Sequence, residues 1–195
     1  MNSARLILIG GTSHVGKSTL GRRLAEELGW SYLSTDQLAR HPGRPWRSGG
    51  DRIPDDVEDH YNHLSVAELM DSVLSHYRSN VWPIIDAIVR SRLNNPFDLG
   101  LVFEGSAILP DLIGRAGYSR VAAIWLTAPD HLITERVRRS SNYETRSDAE
   151  RRLIDAFLRR TIEIDRILRE SPDTDEGNML DASSLEAREV LRLMA

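Results

Sequence analysis

The chain has 195 residues, 41% of them hydrophobic and 28% charged, a balance that suits one domain with one core. A net charge of −4 argues against a nucleic-acid binder held by a basic face, and the absence of cysteine excludes disulfides, thiolate metal sites and cysteine nucleophiles. No apolar run approaches the ~18 residues a membrane span needs and no secretory leader pattern is visible, so a cytoplasmic protein with no membrane partner is expected, as a monomer or homodimer.

Arg5–Ile9 is a short, continuous apolar run that stops at Gly10-Gly11, which reads as a buried strand. Gly11-Thr12-Ser13-His14-Val15-Gly16-Lys17-Ser18 then fits G-x-x-x-x-G-K-[ST] at every fixed position. Lys17–Leu28 reads as a helix, with Leu20, Leu24 and Leu28 at four-residue spacing and Gly29 as its stop. Each residue type in the loop has a chemical reason. The glycines let successive N–H groups turn inward toward phosphate oxygens, and the helix that starts there adds its positive dipole end. Lys17 can place a compact charge on the β- and γ-phosphates of ATP, and Ser18 can coordinate Mg²⁺, with Thr19 completing the binding set in the first helical turn. Of 25 Lys and Arg residues only Lys17 is lysine. An arginine-favouring composition explains the bias, and the one exception sits where an ammonium is the usual choice.

Trp30–Ser34 reads as a second strand, ending at Ser34-Thr35-Asp36. Asp36 has two readings: a carboxylate that orients or deprotonates an acceptor hydroxyl, or, with Thr35, the N-cap of a short helix through Ala39. The stretch His41–Pro54 is rich in Gly, Pro and Arg and reads as a loop. Arg40, Arg44, Arg47 and Arg52 in and before it suit an anionic acceptor, although Asp51, Asp55, Asp56, Glu58 and Asp59 can neutralise them. His60 and His63 lie one helical turn apart but have no third metal ligand placed by spacing.

Ser65-Val66-Ala67-Glu68 is a capping box that opens a helix with Leu69, Met70, Val73 and Tyr77 on one face. A further helix is expected over about Val81–Leu93, with Pro83 in its first turn. Leu99–Phe103 and Val121–Thr127 read as buried strands. Glu104 follows the first, where it can hold Mg²⁺ or position the acceptor. A helix from about Pro129 to Ser140 carries Arg136, Arg138 and Arg139 at its end, either a lid closing on ATP or cations favoured by the helix dipole. Arg159 and Arg160 are expected to be solvated or salt-bridged, and Trp30, Trp46, Trp82 and Trp125 to be core or loop anchors. The capping box at Ser147–Glu150 starts a long helix to about Arg169. Asn178–Asp181 reads as a last strand, and Ser184–Leu193 as a closing helix. Apolar strands alternating with helices indicate a parallel sheet covered on both faces, with ligands outside the carboxyl ends of its strands.

Gly11–Leu20, the Ser34–Asp36 strand end, Phe103-Glu104-Gly105 and the arginines from Arg136 to Arg139 together resemble the small P-loop kinases related to shikimate, gluconate and adenylate kinases. Within that group the P-loop, Ser-Thr-Asp and Glu-Gly are most similar to 2-phosphoglycerate kinases, and more loosely to chloramphenicol phosphotransferase. The resemblance implies an α/β P-loop NTPase fold: a five-stranded parallel sheet of order 2-3-1-4-5, helices on both faces and a small arginine-bearing lid. It also implies a single domain over 1–195, with a helical acceptor-binding insert at 38–95 and the lid at 136–150. ATP and Mg²⁺ would bind at the P-loop, with Arg136 facing adenine, Arg139 on phosphate and Asp36 on the acceptor side. The expected activity is phosphoryl transfer from ATP to a hydroxyl or phosphate of a small, anionic or neutral metabolite. A nucleotide-dependent switch or an ATPase without an acceptor is the alternative from a different class.

Overall fold

The apolar run at the N-terminus becomes the central strand of a parallel sheet in the computed structural model, which describes residues 4–39, 42–47, 52–174 and 178–182. In chain order the elements are β1 (Leu6–Gly11), α1 (Lys17–Leu28), β2 (Ser31–Ser34), α2 (Asp55–His63), α3 (Val66–His76), α4 (Trp82–Asn94), β3 (Leu101–Glu104), α5 (Pro110–Ala116), β4 (Val121–Thr127), α6 (Asp130–Ser141), α7 (Asp148–Arg169) and β5 (Met179–Asp181). The strand order is β2-β3-β1-β4-β5, with every pair parallel. This is the P-loop NTPase sheet that the sequence led us to expect.

Alternation along β1 makes the two layers. Ile7 and Ile9 pack with Leu20 and Leu24 of α1, Ile133 and Val137 of α6 and Phe157 of α7. Leu6 and Leu8 point the other way, into Ile85 and Val89 of α4 and Ile108 before α5. Among the described residues no helix is long and apolar enough to cross a membrane.

Register places the strand ends side by side. Ile9 pairs with Glu104, and Glu104 pairs with Ser34, so the P-loop, Glu104 and the Asp36 turn leave the sheet at one level. The ends of β2 and β3 touch as well: a Cβ on Gly105 would lie 1.7 Å from the buried Thr35 Oγ1, which only glycine avoids.

Several expectations are corrected. Leu99 is 80% exposed and precedes the strand, which starts at Leu101 after Gly100 turns through φ 127° against Trp30. The helices at 66–76 and 82–94 are not separate, because a π-turn at Tyr77–Val81 joins them, with the Trp82 N–H donating to the Tyr77 carbonyl. Pro83 in the next turn has no N–H to donate, a known cause of a widened turn. Helices α2 and α5 went unread. In α2 the carboxylates Asp55, Asp56 and Glu58 sit in the first turn, where the helix dipole favours them. Helix α5 has Pro110 in its first turn and Gly117 in the left-handed conformation just past its end. Arg40, His41, Asp51 and the closing helix at Ser184–Leu193 lie outside the described residues.

Candidate active site

The loop after β1 turns through three left-handed residues, Gly11 (φ 127°), His14 (φ 66°) and Gly16 (φ 107°). Gly16 is the N-cap of α1, and no side chain caps it. The start of α1 therefore keeps its positive end for an external anion. Lys17, 7% exposed, donates from Nζ to the Thr12 carbonyl at 2.6 Å and to Ser106 Oγ at 3.2 Å. Burial pushes its pKa down, opposed by the nearby carboxylates Glu104 and Asp36.

Glu104, at the end of β3, is buried at 2% exposure. Its Oε1 accepts from Ser18 Oγ at 3.0 Å and from Tyr32 OH at 2.8 Å. A hydroxyl and a carboxylate converging at the P-loop are the hard oxygen donors that suit Mg²⁺, which keeps several waters and needs few protein ligands. Among the described residues no group of three or more His, Asp or Glu is placed to hold a metal ion, so none of these supplies a third ligand beside His60 and His63.

Two cavities meet at this point. One, about 460 Å³, is lined by Ser13–Thr19, Glu104 and Arg136 and lies on the P-loop side. The other, about 440 Å³, is walled by the 42–47 segment, α3, the π-turn and α7, and contains Trp46, Tyr77 and Arg160. Ser13, Asp36, Arg44 and Ser106 line both. Asp36 is exposed at this junction. The cap of the short 3₁₀ turn Thr35–Gln37 is not Asp36 or Thr35 but Ser34, whose Oγ accepts from the Asp36 N–H.

The structure does not bring all the expected residues together. Gly11 and Thr12 do not line the P-loop cavity. A Cβ on Gly11 would meet the Leu126 carbonyl at 2.4 Å, and the Thr12 hydroxyl is used on the Thr161 carbonyl of α7. Val15 lines the cavity with its backbone while its side chain is fully buried in the core. Arg136 does reach the loop, its Nη1 donating to the His14 carbonyl at 3.0 Å. Arg139 does not. It is 74% exposed, pairs with Glu135 one turn earlier on α6, and lines a separate surface hollow beside Tyr143. Part of the expected lid is tied down: Arg138 and Arg151 lie over the Tyr143 ring, and Arg146 bonds to Ser141, Glu150 and the Arg47 carbonyl.

Ser106 and Tyr77 were not read as cavity residues, and Arg160, expected to be solvated or salt-bridged, is instead buried at 4% exposure and lines the second cavity. Helical spacing carried a signal for the last. Phe157, Arg160, Thr161 and Ile164 share the buried face of α7, so Arg160, unlike Arg159, faces inward.

His14 carries a titration consequence. Burial first, then the charges of Arg44, Lys17 and Arg136, lower its pKa from 6.5 to about 4. Between those values the unfolded chain binds the proton and the folded one does not. This contribution to stability is therefore present above pH 6.5 and lost as the pH falls through about 4. The wild-type Tm should drop more steeply between pH 7 and pH 4.5 than that of His14→Asn, whose asparagine tolerates the left-handed backbone. Parallel Tm profiles in thermal melts would show that His14 is not buried in its neutral form.

Comparison with known proteins follows this geometry. A family model described as AAA_18, an AAA domain, matches residues 7–155. No curated protein matches the sequence. Among solved structures, a gluconokinase from Sinorhizobium meliloti 1021 superposes with a TM-score of 0.52 at 16% identity, covering 96% of this chain and 87% of that one. A shikimate kinase from Aquifex aeolicus gives 0.52 at 14% identity, covering 97% and 95%. At these identities the likeness is one of fold.

Proposed function

We propose that this chain, which belongs to the AAA_18 family of AAA domains, is an ATP-dependent kinase that transfers the γ-phosphoryl group to a hydroxyl of a small metabolite. The observation that carries this reading is the pair of cavities meeting at Ser13, Asp36, Arg44 and Ser106, beside Lys17. A nucleotide switch needs one cavity. Phosphoryl transfer between two small molecules needs two, with their reacting ends in line.

In this reading Ser13–Thr19 cradle the phosphates, and Lys17 neutralises charge on the transferring group. Ser18 and Glu104 would hold Mg²⁺, which supplies further neutralisation of the phosphate oxygens when bound. Glu104 lines the nucleotide cavity and not the other, which favours the metal role over the acceptor role. Arg136 steadies the loop from α6 and borders the nucleotide. Asp36 orients the acceptor hydroxyl at the junction and can accept its proton, and Arg44 lies where the transferring group passes. The likeness of the P-loop to 2-phosphoglycerate kinases, and more loosely to chloramphenicol phosphotransferase, concerns the loop and strand ends. It does not extend to the acceptor cavity.

The test is γ-labelled ATP incubated with the protein and a metabolite extract, with the labelled product identified by mass spectrometry. Label should appear in one small organic phosphate, and the extract should stimulate ATP consumption. Slow ATP hydrolysis that no metabolite stimulates would favour a switch.

A further inference from the structure

Tyr32, on the edge strand β2, has no part in the chemistry above and lines neither cavity. It pairs with Val102, two residues before Glu104, so its ring lies on the α1 face of the sheet, diagonal to that carboxylate. Its hydroxyl donates to Glu104 Oε1 at 2.8 Å, the same oxygen that accepts from Ser18 at 3.0 Å. Lys17 attracts the Glu104 carboxylate but bonds elsewhere, to Thr12 and Ser106. A carboxylate only 2% exposed and held by two neutral donors is short of positive charge. A divalent cation beside Ser18 would supply it.

Helix α1 makes room for this contact. A Cβ on Gly21 would lie 3.1 Å from Tyr32 Cε2 and 3.5 Å from Glu104 Cγ, so the glycine forms the slot in which ring and carboxylate stem meet. Glycine is a poor residue for a helix interior, and this one is in the second turn of α1. Arg22, the next residue, places its guanidinium 5.1 Å from the centre of the Tyr32 ring. Packing between the strand and α1 accounts for an aromatic ring at this position. It does not account for the hydroxyl, which is used on Glu104.

Resting on the reading of Ser18 and Glu104 as the Mg²⁺ pair, we infer that Tyr32 is a positioning residue of the metal site. Its hydroxyl fixes the Glu104 side chain and occupies one carboxylate oxygen, which leaves the other for the metal or for a metal-bound water. Tyr32 touches neither metal nor nucleotide and acts only through Glu104. Donors in this outer position orient a metal-binding carboxylate and tune its affinity.

The experiment reads metal binding without turnover. Mn²⁺, whose free ion is counted by electron paramagnetic resonance, is titrated into the protein holding a non-hydrolysable ATP analogue, with Mg²⁺ as competitor. Tyr32→Phe should weaken both ions about tenfold, while affinity for the metal-free analogue and Tm stay at wild-type values. Glu104→Gln should weaken the ions at least as much, and Tyr32→Phe added to it should cost nothing further. Wild-type metal affinity in Tyr32→Phe would overturn the inference. An equal loss from Tyr32→Phe in the Glu104→Gln background would overturn it as well, because Tyr32 would then act independently of Glu104. So would a matching loss of metal-free analogue affinity, which points to a displaced P-loop. Should Tyr32→Phe fail to fold, 3-fluorotyrosine in place of Tyr32 decides. Its fluorine resonance should shift when Mg²⁺ joins the analogue complex, and an unmoved resonance would sink the assignment. None of these measurements needs an acceptor. A coupled loss of metal affinity in a protein that phosphorylates no metabolite would keep Tyr32 in its role and remove the kinase reading. Phosphoryl transfer by a protein whose metal affinity ignores Tyr32→Phe would do the reverse.

Discussion

Replacing Lys17 by Met should lower the rate of phosphoryl transfer by about 10³-fold while leaving the fold intact. Methionine keeps the aliphatic stem that packs in the 7% exposed site and deletes only the charge. Burial already disfavours that charge more than Glu104 and Asp36 favour it, so its loss should move Tm by no more than a few degrees. The rate has no such cushion. As the phosphoryl group transfers through a loose transition state, charge spreads over its oxygens, and Lys17 is the cation nearest Ser106 at the cavity junction. Lys17→Arg should fare little better. The Nζ position lies 2.6 Å from a carbonyl and beneath the loop, and a planar guanidinium is larger than that space. In a chain otherwise supplied with arginine alone, this explains the single lysine. Rapid-quench measurement of γ-phosphoryl transfer, beside thermal melts of each variant, is the check. Turnover within a few-fold of wild type in Lys17→Met would remove Lys17 from the chemistry.

The first strand, the glycine loop and the helix after it were legible because they are local. A buried strand, a glycine loop and an amphipathic helix are contiguous in Arg5–Leu28, and their chemistry follows from residue types at fixed spacing. Glu104 and Asp36 could be named as candidates for a related reason: each follows or ends a strand, and parallel register brings strand ends together. The second cavity was not legible. It is lined by Trp46, Tyr77 and Arg160, which lie far apart in the chain and come together only in the folded protein. The π-turn that positions Tyr77 has no pattern of its own in an otherwise helical stretch. Arg136 and Arg139 could not be told apart because three nearby arginines at a helix end look alike in sequence. A helix turns by about 100° per residue, so the three point in different directions, and of them Arg136 reaches the loop.

Asp36→Asn should reduce kcat by about 10²-fold or more with little change in KM for ATP. Two roles were open for this residue in the sequence, and the geometry separates them. If Asp36 capped the turn, asparagine would serve as well and nothing would change. Ser34 makes that cap instead, which leaves the carboxylate without a structural duty there. Its remaining distinction is place: Asp36, like Ser106, borders both cavities, one of which is lined by the P-loop. Asparagine retains the size and one hydrogen-bond acceptor, so nucleotide affinity and Tm should hold. It loses the negative charge and the ability to take a proton, and the nucleophile is then neither aligned by a charge-assisted bond nor relieved of its proton as the bond to phosphorus forms. A loss confined to kcat assigns Asp36 to the transition state, because an interaction made equally with bound substrate would appear in KM. If Asp36→Asn turns over the natural acceptor at the wild-type rate, the hydroxyl needs no carboxylate at this junction. Alignment by Ser106 and Arg44 would then have to suffice.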